Sequence, residues 1–224
     1  MEYLLDTVDL EEIKRTMKVI PVSGLTSTPS IIFREGKIDF IPHMKKTREL
    51  ITEDRTLHMQ VVAKNAEGMI NDSKTFWEKI DKNVYSKIPL TEEGFKALKH
   101  LKSRGNYPIT ATAVYSKIQA LLAIELGADY IAVYSNRSVN VGVNPFDIIK
   151  ASREYIDRGG FSTKIMASSI KNIDQITNAA ESGADAVTFA PEIIYAGLNN
   201  ASVKEAVDNF TSDWVKLYKK EMIY

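Results

Sequence analysis

Lys87 lies in Asn83-Val84-Tyr85-Ser86-Lys87-Ile88-Pro89-Leu90, a run that otherwise reads as a buried strand. An ammonium group taken out of water without close pairing loses its proton readily, by as much as about 3–5 pKa units in full burial. Each unit corresponds to about 1.4 kcal/mol, so such a site can keep a useful neutral amine near neutral pH. A neutral amine attacks a ketone to give an iminium, the electron sink that carbon–carbon cleavage needs. The same segment also accommodates a strand-end lysine whose stem is buried and whose head reaches solvent. Lys164 and Lys171 are competing amines, but Lys164 opens its run and Lys171 lies beyond two serines, which leaves Lys87 the better placed. Asp6, at the end of the first apolar run, is a candidate general base for a substrate hydroxyl. Its alternative is a cap or turn residue. Arg137 follows Asn136 in an expected loop that also holds Gly142, and its planar fork suits phosphate oxygens. Taken alone it reads as a solvated surface residue.

Other chemistries find little support. The three histidines, His43, His58 and His100, are scattered without metal-ligand spacing, so no metal site is expected, and His100 falls on a helix surface. Without cysteine there is no disulfide framework, thiolate zinc site or cysteine nucleophile. No Gly-x-Gly-x-x-Gly, phosphate-loop signature or Gly-x-Ser-x-Gly elbow occurs. Lys plus Arg and Asp plus Glu both total 29, and this balance argues against nucleic-acid or anionic-membrane binding, which rely on surplus positive charge. The segment MEYLLDTVDLEE carries acids where a secretory signal carries bases. No apolar stretch approaches the roughly 20 residues that span a bilayer. A cytoplasmic protein is the expectation.

These residues need a scaffold, and the chain alternates short β-rich runs with amphipathic helical stretches. The expected strands are Tyr3–Asp6, Val19–Leu25, Leu57–Val62, Val84–Ile88, Ile109–Ala113, Tyr130–Val133, Lys164–Ala167 and Ala186–Phe189. Helices are expected over Glu92–Arg104, Ser116–Leu126, Pro145–Arg158 and Ile173–Ser182, the first capped by Thr91 and ended by Gly105. Glu125-Leu126-Gly127-Ala128-Asp129 and Glu181-Ser182-Gly183-Ala184-Asp185 are near copies, each closing a helix and launching a strand. With no linker or compositional shift, the pattern predicts an α/β fold of one domain over residues 1–224, a (β/α)8 TIM barrel. An open doubly wound sheet is the alternative. Val203–Tyr224 reads as an extra helix whose apolar positions Val203, Val207, Phe210, Trp214 and Leu217 suit a neighbouring subunit.

In such a barrel the polar residues at C-terminal strand ends are the functional candidates. Strands 1 to 5 offer Asp6, Thr26, Gln60, Lys87 and Thr112; strand 6 is followed by Tyr134, Asn136 and Arg137, and strand 7 by Ser168 and Ser169. Strand 8 is expected to end apolar, at Phe189-Ala190.

Several ordered motifs then coincide: Leu5-Asp6-Thr7, Gly24-Leu25-Thr26 with Pro29-Ser30-Ile31-Ile32, Ala66-Glu67-Gly68-Met69, Lys87-Ile88-Pro89-Leu90-Thr91-Glu92-Glu93-Gly94, Thr112-Ala113-Val114-Tyr115, Tyr134-Ser135-Asn136-Arg137 and Ala167-Ser168-Ser169-Ile170-Lys171. Over nearly its whole length the chain resembles the small transaldolase family, most closely the fructose-6-phosphate aldolase branch. The resemblance implies a Schiff base on Lys87, a base in Asp6, and a catalytic water held by Gln60, Thr112 and Tyr134. It implies phosphate binding by Arg137 and Ser169, and a ring-shaped homo-oligomer, a pentamer or decamer, tied by the C-terminal helix. It implies no cofactor and a sugar-phosphate substrate, most simply fructose 6-phosphate. Transaldolases proper carry glutamate at the place of Gln60 and phenylalanine at that of Tyr134, so both positions lean toward aldolase. One departure stands out: Thr26-Ser27-Thr28-Pro29-Ser30 has Thr28 where the family has asparagine. An asparagine amide offers both a donor and an acceptor to the sugar, and losing one well-placed polar contact costs about 1–3 kcal/mol of binding. Two further readings therefore stay open: a transaldolase, and a sugar-phosphate-binding barrel with impaired catalysis. A lysine-independent isomerase is weaker, since no histidine and glutamate pair stands out at strand ends.

Overall fold

The computed structural model describes residues 1–36 and 38–224. Eight parallel strands, β1 (Glu2–Asp6), β2 (Val22–Ser27), β3 (Thr56–Gln60), β4 (Tyr85–Pro89), β5 (Ile109–Val114), β6 (Tyr130–Tyr134), β7 (Lys164–Ser168) and β8 (Ala186–Phe189), close into a barrel in chain order. Pairing of Glu2 with Ala186 through Leu5 with Phe189 joins the first strand to the last, so the open-sheet alternative is set aside. The helices are α1 (Leu10–Met17), α2 (Pro29–Glu35), α3 (Phe40–Ile51), α4 (Ala66–Lys79), α5 (Glu92–Arg104), α6 (Lys117–Glu125), α7 (Ser135–Val139), α8 (Pro145–Gly159), α9 (Ile173–Glu181), α10 (Pro191–Leu198) and α11 (Ala201–Tyr218). Two compact units result: Met1–Pro191, which carries the barrel, and Glu192–Tyr224. No helix among the described residues is long and apolar enough to cross a membrane.

Closure has a direct consequence for the site. Leu4, Tyr130, Ala132, Met166 and Ala186 form one buried cluster with Tyr85 packed against it. Side chains from β1, β4, β6, β7 and β8 can meet in this way only inside the barrel. Successive side chains on a strand point to opposite faces. Inward Leu4 therefore puts Asp6 inward, and Tyr85 does the same for Lys87. By the same step Tyr130 and Ala132 lead to Tyr134, Met166 leads to Ser168, and Ala186 leads to Thr188. The lower barrel is filled by apolar and aromatic side chains, and its C-terminal mouth is polar. Strand 8 does end apolar, with Phe189 facing the helices, but Thr188, one residue earlier, faces the interior and adds a polar group that the strand end alone does not show.

The near-copies at Gly127 and Gly183 do the same work twice. Each glycine adopts a positive φ, +79° and +94° respectively, where a side chain would strain the backbone. The amides of Ala128 and Ala184 then bond back to Ala123 and Ala179, ending α6 and α9. Asp129 accepts the amide of Ile109 at 2.7 Å, and Asp185 accepts that of Ile165 at 2.7 Å. Each carboxylate thus ties the start of its own strand to the strand before it. Lys102 pairs with Asp129 and Arg153 with Asp185.

Several boundaries differ from the sequence expectation, three of them with a clear local cause. β2 begins at Val22, three residues late, because the amides of Val19 and Ile20 bond back to Thr16 and Pro21 has no amide for the ladder. β3 stops at Gln60, and the Val62 amide turns to the Asp72 carboxylate at 2.8 Å. The C-terminal helix spans Ala201–Tyr218, capped by Asn200, and ends where Lys219 turns left-handed, short of the expected Tyr224. Its apolar positions Val203, Val207, Phe210 and Leu217 are exposed.

Candidate active site

A cavity of about 390 Å³ opens at the C-terminal mouth of the barrel. Asp6, Thr28, Lys87, Tyr134, Arg137, Ser168 and Ser169 all line it, as does Thr188. Among the sequence candidates, Thr26, Gln60, Thr112 and Asn136 stand outside this lining.

Lys87 is 3% exposed. Its strand is gripped on both sides, with Lys87 in register with Gln60 of β3 and Thr110 of β5. The strand end is held from below as well. A side chain at Gly94 would put its first carbon 1.8 Å from the Pro89 carbonyl oxygen, so only glycine lets α5 begin this close to β4. Thr91 caps that helix by accepting the Gly94 amide. Burial lowers the pKa of the Lys87 ammonium, and the Arg137 charge lowers it further, against an opposing pull from the Asp6 carboxylate. An amine so placed is available as a nucleophile at a pH where an exposed lysine is not.

Asp6 is held by a chain of hydroxyls. Thr26 Oγ1 donates to Asp6 Oδ1 at 2.5 Å, and Thr26 Oγ1 and Thr188 Oγ1 are 2.6 Å apart. A hydroxyl has one proton. Thr26 gives it to Asp6, so Thr188 must donate to Thr26. The aligned chain Thr188→Thr26→Asp6 orients the carboxylate and occupies one of its oxygens, leaving the other for the cavity. Thr26 is therefore a support for Asp6, itself fully buried. The alternation of faces along β8 was the signal that could have found Thr188.

On the opposite wall, the Thr112 hydroxyl lies 3.5 Å from the Tyr134 phenol, at the outer limit of a hydrogen bond. Gln60 Oε1 is buried with no partner among the described residues. Burial raises the Tyr134 pKa, which keeps the phenol protonated and able to donate near neutral pH. The Arg137 guanidinium stands 5.2 Å from the centre of the Tyr134 ring, a cation–π arrangement. Arg137 is carried by the short helix α7, where the sequence suggested a loop. The Asn136 amide bonds to the Ser169 carbonyl at 3.1 Å, which brings Arg137 and Ser169 to one edge of the mouth. The Asn136 side chain instead accepts from Gln175 at 3.3 Å, which turns it away from the cavity. Thr28 caps α2 by accepting the Ile31 amide at 3.3 Å, so its hydroxyl is partly committed to the backbone. Ala113 and Ser169 both have φ of +57°, uncommon for residues with side chains and a form of strain that clusters at functional sites.

Directly below lies a histidine that the sequence shows only as one of three scattered ones. His58 is fully buried; its Nδ1 is 2.8 Å from Thr110 Oγ1, and its ring stacks on Tyr85 at 4.6 Å. Since β4 lies between β3 and β5, the His58–Thr110 bond passes beneath Lys87. Burial holds the His58 pKa well below the ordinary 6.5, and the charges of Lys87, Arg48 and Lys164 reinforce this. In acid the unfolded chain then binds a proton that the folded chain resists, so stability falls as pH drops below 6.5. The expected result is a thermal midpoint that declines through this range and a shallower decline in His58→Phe. Midpoints of both proteins measured against pH test it; parallel curves would refute it.

Comparison with known proteins gives consistent matches. Residues 3–221 match the family described as Transaldolase/Fructose-6-phosphate aldolase. A protein of Streptococcus pneumoniae named "Probable fructose-6-phosphate aldolase" is 40% identical over 100% of both chains. A "Probable transaldolase" of Paracoccus denitrificans is 32% identical over 98% of this chain and 99% of its own. One from Clostridioides difficile is 32% identical over 96% and 97%. Among solved structures, a flavocytochrome b2 mutant superposes with a TM-score of 0.59 at 10% identity, over 85% of this chain and 56% of that one. That likeness concerns the barrel alone.

Proposed function

Because the chain belongs to the transaldolase/fructose-6-phosphate aldolase family, we propose that it is a Schiff-base aldolase that cleaves fructose 6-phosphate reversibly into dihydroxyacetone and glyceraldehyde 3-phosphate. The observation that carries this reading is Lys87, an amine 3% exposed that shares one cavity with the Asp6 carboxylate.

Neutral Lys87 adds to the ketone carbon, and loss of water from the carbinolamine gives the iminium. Asp6 removes the proton of the hydroxyl on the far carbon of the bond to be broken, the carbon that becomes the aldehyde. The carbon–carbon bond breaks, its electron pair moves into the iminium as an enamine, and the phosphorylated aldehyde leaves. Protonation of the enamine and hydrolysis then release dihydroxyacetone and restore the amine. The Tyr134 phenol, the Thr112 hydroxyl and the Gln60 carbonyl offer donors and acceptors for a water that moves protons in these steps. Arg137 and Ser169 hold the phosphate. The iminium is the electron sink, so the chemistry calls for neither metal nor cofactor. The exposed apolar positions of α11 support a homo-oligomer built through that helix.

The alternative within the family passes the three-carbon enamine to a second aldose phosphate. The two are separated by incubating fructose 6-phosphate with and without erythrose 4-phosphate. The aldolase reading expects glyceraldehyde 3-phosphate in both reactions, and product only with the acceptor would overturn it.

A further inference from the structure

The cavity holds more positive charge than the proposed phosphate contacts, Arg137 and Ser169, supply. Arg34 and Lys171 also line it, and among the described residues no ion pair joins Arg34, Arg137 or Lys171 to a carboxylate. Asp6 is the one carboxylate in the lining. With Lys87 held toward its neutral form, three cations face that single carboxylate. A phosphate monoester, at about −1.5 to −2 near neutral pH, matches the surplus.

The placement of Arg34 follows from its helix. Thr28 and Pro29 start α2, and Ser30, Ile31 and Arg34 come to the cavity. Ser30 and Arg34 are four apart and Ile31 and Arg34 three apart, the spacings that share one helix face. Arg137, Ser169 and Lys171 follow β6 and β7, while α2 follows β2. In a barrel closed in chain order these are different sectors of the mouth. Resting on the function proposed above, we infer that Arg34 is a specificity-determining residue: with Ser30 it grips the substrate phosphate from the β2 side while Arg137 and Ser169 grip it from the β6–β7 side. Guanidinium suits this role because its planar fork binds two phosphate oxygens at once.

The test compares the full-length wild type with Arg34→Ala and Arg34→Lys. Dihydroxyacetone is added to glyceraldehyde 3-phosphate and, separately, to unphosphorylated glyceraldehyde. The ratio of the two kcat/KM values is expected to fall about tenfold or more in Arg34→Ala, chiefly through KM for the phosphorylated aldehyde, with partial recovery in Arg34→Lys. Inhibition by inorganic phosphate is expected to weaken in parallel. A helix-end arginine that only stabilises α2 would shift the melting temperature and leave the ratio alone. An unchanged ratio together with unchanged phosphate inhibition in Arg34→Ala would overturn the assignment. Borohydride trapping of the wild type with dihydroxyacetone alone involves no phosphate and so tests the Schiff-base reading separately. If that trapping fails, calorimetric binding of inorganic phosphate to wild type and Arg34→Ala still decides the role of Arg34.

Discussion

Lys87→Met is expected to lower turnover of fructose 6-phosphate by about 10⁴-fold or more, because loss of a covalent nucleophile removes a whole reaction path. Borohydride added with dihydroxyacetone should fix the ligand's mass to the wild-type peptide containing Lys87 and leave the variant unlabelled. Trapping on any other lysine, or activity near wild type in the variant, would remove the basis of the proposed function. The substitution carries a second, independent signature. The folded state holds the Lys87 pKa below its ordinary 10.5. Between that depressed value and 10.5 the unfolded chain binds more protons than the folded one, so this group makes stability rise with pH. Its contribution is complete above 10.5 and is lost as pH falls through the folded value. Methionine has no proton to lose, so Lys87→Met should flatten this part of the stability curve and leave the fold intact or firmer near neutral pH. Urea unfolding at a series of pH values measures both effects.

Asp6→Asn should reduce cleavage by about 10²–10⁴-fold, the usual worth of a positioned general base. Iminium formation should persist, so borohydride with dihydroxyacetone should still label Lys87 in this variant. That separation of trapping from turnover is the distinguishing result, and equal loss of both would mean that Asp6 only holds the site together. The Asp6 carboxylate also raises the Lys87 pKa. Removing its charge lowers that pKa, so the acid limb of kcat/KM should move to lower pH in Asp6→Asn. Thr26→Val should mimic part of the loss, since it breaks the hydroxyl chain that ends on Asp6 Oδ1.

Much of this was readable from residues in order. The alternation of β-rich runs and amphipathic stretches follows from local periodicity, so the barrel and the helices α5 and α8 come almost directly from the sequence. The strand-end set that includes Asp6, Lys87 and Tyr134 follows from the same alternation. What failed locally failed for identifiable reasons. Val19 and Ile20 have strand-like side chains, yet their amides are taken by Thr16 of the preceding helix. Thr188 was passed over because Phe189-Ala190 made the strand end look apolar, and two-residue alternation shows a polar face only once one inward residue is known.

By itself, then, the sequence determined the strands, their order of chemistry and the single lysine set in an apolar run, because these rest on neighbours a few residues apart. Tertiary structure alone decided which groups meet. Thr188 supports Asp6 through Thr26 only because β8 closes on β1, a hydrogen bond between residues 162 positions apart. His58 reaches Thr110 beneath Lys87 only because β4 lies between their strands. Arg34 shares a cavity with Arg137 only because the barrel brings the segments after β2 and β6 to one mouth. Periodicity says which way a side chain points, and ring closure says what it points at.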